Sequence, residues 1–188
     1  RQRQMCIRDR LNGRTICLRN IDVKKIFELI DKYDITHFGG APIVLNMITG
    51  APESDKKKLK HKVYVLTAGA PPPSIIFKKM KSLGFEVMHV YGLTETYGHV
   101  TQCAWNDGWN DLDEDRQNEI KARQGVRYPN TEGVTVLDPE TMKEVPKDGK
   151  TIGEIMIRGN VVMKGYFKDK EATDLSLIHI SEPTRLSA

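Results

Sequence analysis

The chain has no long hydrophobic run. Its apolar stretches, such as 43–45 and 63–66, are short, far below the roughly 20 residues of a membrane-spanning helix. Cysteine is scarce: three in 188 residues, at Cys6, Cys17 and Cys103, with no Cys-x-x-Cys pair. That excludes a disulfide framework and a paired-cysteine zinc site, and it fits a reducing compartment. Neither sign of charge dominates. The formal net charge of +4 is mild and scattered, which argues against a nucleic-acid partner. The basic opening RQRQMCIRDR is not followed by an apolar segment, so it does not read as a secretory signal. No internal repeat and no low-complexity tract is present. These absences predict a soluble, intracellular protein without a transmembrane segment. Cytoplasm, peroxisome and mitochondrion are not distinguished, and oligomeric state is left open.

What is present suits a globular domain: 39% hydrophobic and 29% charged residues are enough for one core. The ends read differently from the middle. Residues 1–11 show no periodicity, and 174–188 begin abruptly after the coherent stretch GYFKDKEAT. Both resemble translated adapter or cloning sequence, so the domain is expected to occupy 12–173.

Within 12–173, helix-like and strand-like segments alternate. Asp22 can cap a helix whose apolar positions Val23, Ile26, Phe27 and Ile30 fall at helical spacing. A short strand is expected at 35–38, and Pro42 can open a second helix. The lysine-rich run 53–62 reads as a solvated connection. Residues 63–66 form a fully apolar strand of the kind found inside parallel sheets. A helix over 74–83 should end at Gly84, and 85–90 should be the next strand. Strand–helix–strand repetition implies right-handed βαβ units. Beyond Tyr97 the pattern changes to an acidic loop at 106–118, a short helical stretch to about Arg123, and antiparallel strands at 134–137 and 152–158.

Two segments stand out, TAGAPPP at 67–73 and YGLTETYG at 91–98, each at the end of an apolar strand. Ligands of open parallel sheets bind at the carboxyl ends of strands. Small residues there let a flat ring approach the backbone. Tyr91 offers a stacking face, Thr94 a hydroxyl, and Glu95 a carboxylate for a hard cation such as Mg²⁺. Either segment alone reads as a loop or a capped turn; together, one βαβ unit apart, they suit a nucleotide with its phosphate and metal.

Other patterns fail their own tests. GKT at 149–151 lacks the first glycine of a phosphate loop, because Glu144 stands there. Asp111, Asp113 and Asp115 have calcium-loop spacing, but Arg116 and Ala122 occupy the positions that need Gly and Glu. His37 reads as structural, and Trp105 and Trp109 as packing residues.

YGLTE resembles the adenylate-contacting motif of the adenylate-forming (AMP-binding) superfamily. TAGAPPP resembles its adenine-side turn, and GEIMIRGNVVMKGYFKDKEAT its next block. IKARQGVRYP and THFGGAPIVLNMI resemble the acyl-CoA synthetase branch that activates short- and medium-chain fatty acids. The resemblance covers 12–173. It implies an α/β fold, part of a large N-terminal domain: a parallel sheet with helices, followed by a smaller β-rich subdomain. It implies ATP (leaving as AMP), Mg²⁺, a carboxylic acid and CoA as reactants. It implies that Gly69, Ala70 and Pro71 line the adenine pocket, that Tyr91 stacks on adenine, and that His89, Val90, Gly92 and Leu93 lie along the adenylate. Thr94 would hydrogen-bond the α-phosphate and Glu95 would bind the metal, the two acting as the catalytic pair. Gly40, Ala41, Gly98 and His99 would border the acyl pocket. The family's phosphate loop, its ribose-binding aspartate and its C-terminal lid have no counterpart in these 188 residues, so this chain alone is expected not to form acyl-CoA. Two other readings stand beside this one: an adenylation domain serving a carrier protein, and a non-catalytic nucleotide-binding module.

Overall fold

The structure, a computed structural model, describes residues 12–178. Its first helix, α1 (Val23–Tyr33), begins where Asp22 accepts a hydrogen bond from the Lys25 amide at 2.9 Å, a cap that contributes about 1 kcal/mol. Strand β1 (His37–Gly39) leads into α2 (Pro42–Gly50), with proline in the first turn as expected. A single 3-10 turn at Glu53–Asp55 interrupts the lysine-rich connection. Then come β2 (Val63–Thr67), α3 (Ser74–Ser82) and β3 (Phe85–Leu93). Gly84, with φ +93°, makes the left-handed exit from α3.

β1, β2 and β3 are parallel neighbours in chain order. Right-handed crossovers in one direction put the connecting helices on one face, and burial follows. Val63, Val65 and Thr67 are buried, whereas Tyr64 and Leu66 are exposed. The apolar run at 63–66 is therefore covered on one side only, not on both as its composition suggested. Phe27, Ile30, Leu45, Ile48, Phe77 and Met80 form the covered core with the inward side chains of β2 and β3. On the open side His37 stacks on Tyr64, ring centroids 5.0 Å apart.

β3 runs three residues further than its apolar pattern indicates and turns back through a 3-10 turn (Thr94–Thr96) into β4 (Gly98–Gln102), which pairs antiparallel with it. This strand was not anticipated. β5 (Val126–Arg127) completes a five-stranded sheet. Between β4 and β5, Asp113 caps α4 (Glu114–Lys121). The acidic segment is thus a helix start and not a calcium loop. Trp105 and Trp109 pack edge to face at 5.4 Å.

A second, smaller layer holds β6 (Gly133–Leu137) antiparallel to β7 (Glu154–Arg158). Ile155 and Ile157 of β7 join Val100 of β4 in a second core. In the connection, Asp148 accepts from the Lys150 and Thr151 amides and the Thr151 hydroxyl. These bonds hold its carboxyl down at about 2. DGKT is a side-chain-capped turn. The last described element, α5 (Lys170–Ile178), crosses position 174. Of the two end segments, 1–11 and 179–188 lie outside the described residues.

Candidate active site

The carboxyl ends of three adjacent parallel strands bring the expected residues to one edge of the sheet. After β1, the Gly40 amide donates to the Leu66 carbonyl at 3.0 Å, tying Gly40 and Ala41 to the end of β2. After β2 comes the exposed turn Gly69, Ala70 and Pro71, anchored by the buried Pro72. Gly69 has φ +94°, and a Cβ there would meet nothing within 4 Å. Conformation, not crowding, calls for glycine at this position. Next to it, β3 carries Tyr91, Gly92 and Leu93 past the level of Thr67, whose register partner is His89.

Crowding rules at Gly92. A Cβ there would lie 2.0 Å from the Gly98 carbonyl oxygen and 2.5 Å from the His99 Cα. Gly92 pairs with His99, and Leu93 with Gly98, beside an irregularity at Tyr91/Gly92. Gly98 and His99 are therefore packed against the motif backbone, and His99 meets the Tyr128 ring edge-on at 4.2 Å. Gly40 and Ala41 line a separate cavity of about 810 Å³ with Gly13, Ile16, Tyr33 and Val44, which the motif residues do not reach.

The 3-10 turn is fastened from inside. Thr96 is buried; its hydroxyl accepts from the Leu93 amide at 2.9 Å and lies within donating reach of the Leu93 and Gly98 carbonyls. Tyr97 takes a left-handed backbone, φ 57°, and is exposed. This leaves Thr94 exposed and Glu95 half-buried at the rim. The Glu95 carbonyl accepts from the Met163 amide, and its Oε1 accepts from the Tyr166 hydroxyl, both at 2.7 Å. The Glu95 carboxylate holds the Tyr166 phenol above its ordinary pKa, and Ser176 offsets part of that. Thr96 and Tyr166 were not singled out from the sequence. The only trace of them there was position: one ends the TET triplet, the other sits in the GY of the later block.

His89 and Val90 are buried, and Tyr91 packs with Leu93 against the Val100–Ile155–Ile157 core. The His89 Nδ1 lies 3.1 Å from both the Ala122 and Arg123 carbonyls. The ring thus ties β3 to the end of α4, and only its backbone reaches the motif edge. Burial pushes the His89 imidazole below its ordinary pKa of 6.5, and the two carbonyls restore part of the loss. A depressed histidine contributes stability above its unfolded pKa and loses it as pH falls, because the unfolded chain takes the proton first. Urea melts are expected to show stability falling below pH 6.5, and His89→Gln should flatten that slope. A residual slope should remain from His99, also held low by burial. An unchanged slope in the variant would show that His89 is not the group responsible.

Among the described residues no three carboxylate, histidine or cysteine side chains converge as a metal site. No helix there is long and apolar enough to cross a membrane.

A parallel α/β sheet with small-residue turns gathered at its carboxyl edge is the architecture of a ligand-binding α/β domain. By sequence the chain belongs to the AMP-binding enzyme family, which it matches over residues 10–167. It is 52% identical over 164 residues to the peroxisomal acetate/butyrate–CoA ligase AAE7 of Arabidopsis thaliana, covering 86% of this chain and 29% of that enzyme. It is 51% identical over 166 residues to the acetate–CoA ligase CCL3 of Humulus lupulus, again 29% of the relative. The chain thus spans about three tenths of the length of these relatives. ATP-bound MatB from Rhodopseudomonas palustris shares the fold with a TM-score of 0.66 and 26% identity, over 87% of this chain and 30% of that one.

Proposed function

We propose that this chain is part of an AMP-forming acid–thiol ligase that activates a short carboxylic acid as its acyl-adenylate and passes it to CoA. The observation that carries the reading is the β3–β4 turn. It presents Thr94 and Glu95 at the sheet's carboxyl edge, one strand over from the turn that carries Gly69 to Pro71, on a backbone locked by Gly92 and Thr96. The relatives' names, acetate/butyrate–CoA ligase and 2-methylpropanoate–CoA ligase, support CoA as acceptor and a short acid as substrate.

In this reading the open backbone at Gly69 to Pro71 receives the flat adenine, with Tyr91 bordering it. A substrate carboxylate oxygen attacks the α-phosphorus; the P–O bond to pyrophosphate breaks, and the electron pair leaves with pyrophosphate. The Thr94 hydroxyl donates to an α-phosphate oxygen. The half-buried Glu95 carboxylate would hold Mg²⁺, a hard cation that takes oxygen ligands, and the ion would neutralise phosphate charge. The CoA thiolate then attacks the acyl carbon and AMP departs. Positioning and charge compensation govern such phosphoryl chemistry, so the site calls for no general-base triad. The acyl side is assigned to Gly98 and His99 next to the motif and to Gly40 and Ala41 in their separate cavity.

The test is pyrophosphate exchange into ATP by a full-length enzyme that carries this segment, with acetate, butyrate and 2-methylpropanoate, followed by CoA-dependent AMP release. Exchange with at least one acid, and thioester formed on free CoA, is expected. No exchange with any of them overturns the reading. Exchange without transfer to CoA would point to a carrier-protein acceptor.

A further inference from the structure

Tyr166 lies 71 residues from Glu95 in the chain, yet its hydroxyl donates to the Glu95 carboxylate at 2.7 Å. We propose that Tyr166 is a positioning residue that holds the Glu95 carboxylate in the orientation needed to receive a hard divalent cation, and that the segment from Met163 to Thr173 exists at this edge as a brace for that purpose. The proposal rests on the reading above, in which Glu95 serves the metal.

Five hydrogen bonds make the brace. The Met163 amide grips the Glu95 carbonyl at 2.7 Å, which fixes the backbone. The Tyr166 hydroxyl occupies one lone pair of Oε1, which fixes the side-chain torsions. The Tyr166 amide itself donates to the Thr173 hydroxyl at 2.8 Å, and that hydroxyl donates to the Asp169 carbonyl at 2.5 Å. Asp169 in turn caps α5 through the Ala172 amide at 2.9 Å. Gly165 has φ +149°, and a Cβ there would lie 2.5 Å from the Thr173 Cγ2, so the strap closes on the helix without a gap. The phenol is therefore anchored through its own backbone to the first turn of α5.

The geometry leaves Oε2, and the second lone pair of Oε1, free of the phenol. A half-buried glutamate on a short turn otherwise samples several rotamers, and ordering it at the moment of metal binding costs side-chain entropy. The hydrogen bond meets that cost in advance. It also ties the sheet edge to the smaller β-layer, since four residues separate the strap from the end of β7. The bulky exposed neighbour Phe167 makes no such contact with the turn and serves as a control position.

The experiment has two arms. In the full-length enzyme, Tyr166→Phe is expected to raise the Mg²⁺ concentration needed for half-maximal pyrophosphate exchange by about three- to tenfold. The KM for the acid should change little, and saturating Mg²⁺ should restore most of the rate. Phe167→Leu should leave the Mg²⁺ requirement unchanged. In protein without nucleotide or acid, Mn²⁺ binding followed by electron paramagnetic resonance should weaken by a similar factor in Tyr166→Phe and stay unchanged in Phe167→Leu. An active Tyr166→Phe enzyme with an unchanged Mg²⁺ requirement overturns the proposal while leaving the functional reading intact. So does Mn²⁺ binding by folded Tyr166→Phe protein that matches the parent, a readout that needs no activity. A parent enzyme without exchange on any acid overturns the functional reading instead.

Discussion

Glu95→Gln, in a full-length enzyme carrying this segment, is expected to lower pyrophosphate exchange into ATP by about 10²-fold or more, the usual cost of removing one preorganised electrostatic group from a charged transition state. The substitution is informative because so little else changes. The amide oxygen of Gln can still accept from the Tyr166 hydroxyl, and the Glu95 carbonyl keeps its bond to the Met163 amide. The Thr96 bonds that lock the turn do not involve the side chain at 95. Only the negative charge leaves. Rate should therefore fall while the melting temperature holds. A variant exchanging within about threefold of the parent, at matched Mg²⁺, would remove Glu95 from the chemistry.

The second large effect is structural. Gly92→Val should destabilise the chain by roughly 3 kcal/mol or more, because overpacking against backbone cannot be relieved by a rotamer change. A Cβ at Gly92 meets the Gly98 carbonyl oxygen at 2.0 Å, so β3 and β4 would have to separate. Gly69→Ala is the companion measurement. Its Cβ meets nothing, and the expected cost is only the left-handed backbone, about 1–2 kcal/mol. Urea denaturation of both variants separates the two reasons for glycine in one site. Equal losses would contradict the close approach of the hairpin.

Both experiments concern features that the sequence disclosed unevenly. Local signals were readable wherever the physics is local. Asp22 caps α1, Pro42 opens α2, and Gly84 ends the α3 exit, each visible within four residues of its effect. The antiparallel β6–β7 pair was readable from its apolar runs. What escaped depends on distant partners. GHVTQ forms β4 only because Gly92 admits Gly98 beside it, and nothing in the five residues announces that pairing. The open side of β2 was missed for the opposite reason. Composition shows that Tyr64 and Leu66 are bulky and apolar, but not that both crossover helices lie on the other face. The alternation Phe85, Val87, His89 did place the histidine side chain inward, a period-two signal that the motif's pull toward the ligand obscured. The Tyr166–Glu95 bond, across 71 residues, has no local signature at all.

The strands of the main sheet lie in the same order as they occur along the chain. Each new strand can pair with one made before it, so loop-closure costs stay small. The phenol that orients Glu95 does not obey this order, for it arrives after β7 is made. A nascent chain would thus own a finished sheet edge before it owned an aimed carboxylate. The interval between the two is a period in which the protein is folded in outline while its Glu95 carboxylate is not yet held by the phenol.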